Sequence, residues 1–111
     1  MPVFEIQNNL LSVKVNSFGA ELCSVVSKET DIEYIWQANE SIWARHAPNL
    51  FPIVGKLKGG EFHYQSKMYQ LPQHGFARDN EFICVEQTDD FLLFELTASD
   101  QTLVNYPFHF S

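Results

Sequence analysis

Apolar and polar residues alternate with a period of two along much of this chain, in short runs separated by turn residues. That period puts one set of side chains on each face of an extended backbone, so the runs predict strands. Residues 3–7 (VFEIQ) are the first, and the Asn8-Asn9 pair, which tolerates left-handed backbone, marks a turn. Leu11, Val13 and Val15 alternate with Ser12 and Lys14 in the second. Gly19 opens a third through Ala20, Leu22 and Ser24, and residues 32–37 (IEYIWQ) make a fourth. Residues 61–65 and 67–71 read as a hairpin around Ser66, and residues 81–86 as the next strand. After an Asp89-Asp90 turn, residues 91–97 form a strong strand with Leu92, Phe94 and Leu96 on one face. Runs spaced about 8–12 residues apart indicate an all-β sandwich or barrel.

Three segments break the pattern. In residues 39–47, Asn39 or Ser41 is suited to cap a short helical turn, which Pro48 would end by restricting Ala47. Residues 48–60 (PNLFPIVGKLKGG) hold two prolines and three glycines around a short apolar centre and predict a long connection with one brief strand at most. Long ordered loops of this kind are often functional. Residues 105–111 (NYPFHFS) begin to alternate again through Tyr106, Phe108 and Phe110 and stop inside that pattern, so the expectation is a truncated domain with exposed aromatics.

Composition narrows the class. With 111 residues, 45% hydrophobic and 19% charged, the chain is globular and is one domain or part of one. No apolar run is long enough to span a bilayer, and MPVFEIQNN lacks the features of a signal peptide, so no membrane partner is expected. Cys23 and Cys84 sit far apart in alternating runs and read as reduced, buried small hydrophobes; the expected location is cytoplasmic. A net charge of −7 argues against nucleic acid, which needs a basic face. The charge is uneven, however. Between Arg45 and Arg78 lie Arg45, Lys56, Lys58, Lys67 and Arg78 against Glu61 alone, while the remaining acids fall outside. Such a window focuses a field toward an anionic or polar ligand, unless a few surface lysines simply fell there.

The densest chemistry lies in residues 71–79 (LPQHGFARD), inside that window. His74 offers an imidazole that donates or accepts near neutral pH. Arg78 is a permanent cation with a planar fork for hydroxyl pairs, carboxylates or phosphate. Gly75, between them, permits positive φ or close approach. A loop so built is suited to hold a polar ligand; Pro, Gly and His in a row are also ordinary turn chemistry. The charge window favours the ligand reading.

Read together, residues 19–22 (GAEL) with 34–37 (YIWQ), 47–58 (APNLFPIVGKLK) and 69–82 (YQLPQHGFARDNEF) resemble the N-terminal part of the aldose 1-epimerase (galactose mutarotase) family. The nearest branch is that of the LacX-type mutarotase-related proteins, and the resemblance covers essentially the whole chain. It implies that residues 1–111 are the N-terminal portion of an all-β domain, a partial and truncated β-sandwich of the galactose mutarotase type. It further implies a hexose or hexose 6-phosphate as ligand, anomer interconversion as the family reaction, and no cofactor. His74 matches the family His that hydrogen-bonds the sugar. Arg78 matches the Arg of the HGFAR variant, suited to a phosphate. Lys56 stands where an Arg commonly contacts the sugar, and keeps the charge without the bidentate fork. The family's general acid, a second His, and its general base, a Glu, lie in later segments. His109 comes too early and lacks the surrounding motif for that role. The 111 residues alone are therefore expected to be inactive and to self-associate. The alternatives are a non-catalytic carbohydrate or sugar-phosphate binding module, or a functionless remnant.

Other constellations are weaker. The spacing of His46, His63 and His74 fits no zinc pattern. Trp36 and Trp43 are suited to stack on a sugar face, but their apolar neighbours favour core packing. Glu61, Glu81 and Glu86 read as solvated strand positions, with nothing to set two of them across a cleft.

Overall fold

Period-two alternation becomes strand where a neighbouring run is available to pair with it. The computed structural model describes residues 2–111. Seven strands, β1 (Val3–Gln7), β2 (Leu11–Asn16), β3 (Glu21–Ser27), β4 (Glu61–Tyr64), β5 (Lys67–Gln70), β6 (Ile83–Gln87) and β7 (Leu92–Glu95), precede one short helix, α1 (Asp100–Asn105). They form an antiparallel sheet β1-β2-β3 and two hairpins, β4-β5 and β6-β7. The fold is all-β, as the alternation predicts.

Local chemistry sets the turns. The Asn8 side chain accepts from the amides of Leu10 and Leu11, both at 2.8 Å, and closes the β1-β2 turn. Gln65 and Ser66 both take positive φ, 50° and 63°, which matches the twist that a two-residue hairpin needs. The β1-β2-β3 sheet joins the β6-β7 hairpin through the Gly19 amide on the Asn80 carbonyl at 2.7 Å and the Phe82 amide on the Ser17 carbonyl at 3.0 Å. Phe4 and Phe94 pack edge to face across the same junction, 5.3 Å apart. The buried Ser17 hydroxyl donates to the Glu81 carboxylate, so Glu81 is a joint between the two sheets and not a free strand position.

Two expected strands are absent. Residues 32–37 make one bridge, Val26 to Glu33, and no ladder. The Glu33 carboxylate folds back instead, accepting from the Ser24 hydroxyl and from the amides of Val25 and Ile35 at 2.8 and 3.1 Å. Desolvation at this site works to raise its pKa, yet these hydrogen bonds prevail and hold the carboxyl below its ordinary value. Gln37 likewise reaches the Cys23 and Ile35 carbonyls, both at 3.0 Å. Side-chain bonds to backbone have displaced the ladder. Residues 105–111 are not a strand either. Ser99 and Thr102 form a capping box that starts α1, and the chain after it folds Tyr106, Phe108 and Phe110 onto Phe51, Phe76 and Tyr64. Those three aromatics, expected to be exposed, are half-buried.

The interior is small. Leu71 and Ala77 are the buried apolar side chains among the described residues. Cys23 and Cys84, expected to be buried, are free and only partly covered. Burial and the Glu21 carboxylate push the Cys23 thiol above its ordinary range. The molecule measures 57 × 34 × 19 Å, a slab about two layers thick. Its radius of gyration is 16.7 Å, against about 13 Å for a compact chain of this length.

Candidate functional site

The segments that carry chemistry in the sequence interlock in space. The Phe51 carbonyl accepts from the amides of Phe76 and Ala77 at 2.9 and 3.2 Å, and Phe51 bridges Gly75 in parallel. The Asn49 side chain donates to the Gly19 and Ala20 carbonyls at 2.9 and 2.8 Å. Gly19 leaves no room for a Cβ, which would lie 2.8 Å from the Arg78 carbonyl oxygen. The GAEL, APNLF and HGFAR segments thus form one backbone knot, which fixes the loop at 71–79.

His74 is held at both ends. Its amide donates to the Gly55 carbonyl at 2.8 Å, and its Nδ1 accepts from the Gly55 amide at 2.8 Å. A neutral ring with Nδ1 as acceptor carries its proton on Nε2, which faces the Gln73 side-chain amide at 3.5 Å. His74 also takes φ of 65°, followed by Gly75 at 74°. A non-glycine residue in that region costs about 1–3 kcal/mol and persists where the surroundings over-determine it. The Gly55 clamp is what over-determines it here.

Arg78 lies in a single 3₁₀ turn, residues Ala77–Asp79, and donates from Nη2 to the Gln73 carbonyl at 3.1 Å. Its Nε is buried without a hydrogen-bond partner among the described residues. An unpaired buried donor on a cation is costly.

His74 and Arg78 line one pocket of about 430 Å³, together with Trp43, Pro48, Leu50 and Gln73. Lys56 does not line it. It follows Gly55 in the chain and is exposed. The positive window is also thinner than its composition implies. Arg45 is tied to Asp79 at 2.9 Å, just past the window's end, and Lys67 sits 5.4 Å over the Tyr69 ring. Arg78 is the one cation lining the pocket. His46 lies 3.9 Å from Glu21 and His63 is exposed on β4, and no metal-holding group of His, Cys, Asp or Glu occurs among the described residues.

Two features escaped the sequence. Gly55 carries no side chain to announce it, yet both of its backbone groups fix His74. Trp36 and Trp43, expected in the core, are 41% and 48% exposed. A second, apolar cleft of about 470 Å³ lies between the Phe51 loop, the β6-β7 hairpin and Phe110. No helix among the described residues is long and apolar enough to cross a membrane.

Comparison with known proteins agrees on one family. The model of the Aldose 1-epimerase family matches residues 2–111. The plasmid-borne Protein LacX of Lactococcus lactis subsp. lactis is 32% identical over 111 residues, covering 96% of this chain and 37% of that protein. The chain thus spans a little over a third of the length of the curated relatives it matches. Among solved structures, the galactose mutarotase related enzyme from Lactobacillus acidophilus superposes with a TM-score of 0.96 at 46% identity, over 97% of this chain and 36% of that one. A galactose mutarotase-like protein from Lactobacillus casei ATCC 334 gives 0.94 at 35% identity, over 97% and 37%.

Proposed function

The chain belongs to the aldose 1-epimerase family, and from that premise we propose that its residues carry part of a hexose-binding cleft in which His74 and Arg78 hold the sugar. The observation that supports this best is their convergence on one pocket, with His74 locked by Gly55 through Nδ1 so that Nε2 is the ring nitrogen turned to Gln73 and the pocket. The preferred ligand is a hexose 6-phosphate. Arg78 is the cation that lines the pocket, and a phosphate oxygen is the acceptor that suits a guanidinium best. Lys56, which does not line the pocket, has no part in this reading. The two free thiols accord with a cytoplasmic setting.

Anomer exchange needs one group to take the proton from the anomeric hydroxyl while another protonates the ring oxygen. The ring opens, C1 rotates, and the roles reverse. The Nε2–H of a neutral His74 is suited to hydrogen-bond the ring oxygen. Family resemblance assigns the acid and the base to other segments, so the 111 residues bind without turning the sugar over.

Two measurements test this reading. Calorimetric titration of glucose and glucose 6-phosphate should show tighter binding of the phosphate. Arg78→Ala should weaken the latter about tenfold or more, since a hydrogen bond to a charged group is worth roughly 1.5–3 kcal/mol. Equal affinities that ignore the substitution would remove the phosphate assignment. Polarimetry on glucose, galactose and their 6-phosphates should show exchange at the buffer rate. Exchange well above that rate, surviving His74→Ala, would overturn the assignment of roles.

A further inference from the structure

The pocket lining divides by chemistry. His74, Arg78 and Gln73 supply donors, while Trp43, Pro48 and Leu50 supply apolar surface. The indole of Trp43 is the largest of these, and nearly half of that residue's surface is open. Other large apolar side chains of this chain are as exposed, and what sets Trp43 apart from them is its place in this lining beside His74 and Arg78.

Its loop is not left to drift. The Ile42 and Trp43 amides both donate to the Asn39 carbonyl, at 2.9 and 2.8 Å, forming a single tight turn. The Trp36 indole N–H donates to the Trp43 carbonyl at 2.8 Å. Two residues on, Arg45 is stapled to Asp79, the neighbour of Arg78. That ion pair is partly solvent-exposed, and such pairs contribute little to stability. Its effect is positional: it ties the segment that carries Trp43 to the turn that carries Arg78.

We propose that Trp43 is the specificity-determining residue of this pocket, a platform on which the C–H face of a pyranose ring lies while His74 and Arg78 take its polar groups. This rests on the sugar-binding reading above and names what that reading lacks, an apolar wall. A pyranose has one face rich in C–H and a rim of hydroxyls, which is the combination the lining offers. Inorganic phosphate engages Arg78 but has no apolar face to place on an indole.

The test compares two probes on the intact chain, glucose 6-phosphate and inorganic phosphate, against Trp43→Ala and Trp43→Phe. Trp43→Ala should lower glucose 6-phosphate affinity about three- to tenfold and leave inorganic phosphate affinity unchanged. Trp43→Phe, which keeps an aromatic face and guards against misfolding of the alanine variant, should retain most of the affinity. It should also abolish the change in tryptophan emission on adding glucose 6-phosphate, because Trp36 is then the remaining reporter. Equal loss for both probes would make Trp43 a mere prop of the loop, and no loss would make it a bystander. Either outcome overturns the inference while leaving the His74/Arg78 reading standing. Failure of the unaltered chain to bind glucose 6-phosphate overturns both.

Discussion

Replacing Gly75 with alanine is expected to dismantle the ligand loop and to destabilise the chain by about 3 kcal/mol or more. Gly75 sits at φ 74°, and a Cβ there would lie 2.1 Å from the Phe51 carbonyl oxygen and 2.5 Å from its carbon. Those are backbone atoms, so no side chain can swing aside. The Phe51 carbonyl cannot retreat cheaply either, because it accepts the Phe76 and Ala77 amides and its ring packs against Phe76, Tyr106 and Phe110. Gly55 is the matched control. It too is left-handed, at φ 85°, but a Cβ there meets nothing within 4 Å. Gly55→Ala should cost only the left-handed penalty, about 1–2 kcal/mol. Denaturant unfolding of the two variants separates close packing from backbone conformation. Equal losses would show that the Phe51 contact is not what holds the loop.

The strands were legible because alternation and turn chemistry agree locally. Asn8-Asn9, Ser66 and Asp89-Asp90 each fall at a turn, and all seven strands lie within runs read from the sequence or overlap them. The two failures have different causes. In residues 32–37 the alternation is real, but Glu33 and Gln37 direct their side chains to backbone groups, and that preference is invisible in apolar spacing. In residues 105–111 the alternating aromatics answer to a cluster around Phe51 and Phe76, which is set by chain distant in sequence. The helix before them was signalled by Ser99 and Thr102, a capping box with Thr in place of the usual Glu or Gln. At the candidate site, His74 and Arg78, which the structure brings to one pocket, stood out because their chemistry stands in their side chains. Gly55 was not, because it acts through backbone alone. Trp43 was misread because apolar neighbours in sequence, such as the 73% exposed Ile42, are not neighbours in a core.

The isolated 111 residues are expected to associate with a second copy of themselves. Their accessible surface is 7573 Å². A compact protein of this mass exposes about 6,300 Å², so the slab carries an excess of about 1,300 Å². A standard interface takes about 800 Å² from each partner, so the excess is ample for one. The surface with the most to gain is the β6-β7 hairpin, a two-stranded sheet in which β7 is the strand partner of β6. It exposes Ile83 at 68%, Val85 at 50% and Leu93 at 46%, and it borders the apolar cleft against Phe51 and Phe110. An open strand edge with apolar side chains pairs readily with another, and a lysine placed on such an edge suppresses that pairing. Sedimentation velocity over a range of concentrations should therefore show a dimer or larger species, and Val85→Lys with Ile83→Lys should shift it toward monomer. A sharp monomer at every concentration would show that the slab tolerates its exposed face. Association indifferent to both lysines would place the contact elsewhere and remove the hairpin from the argument.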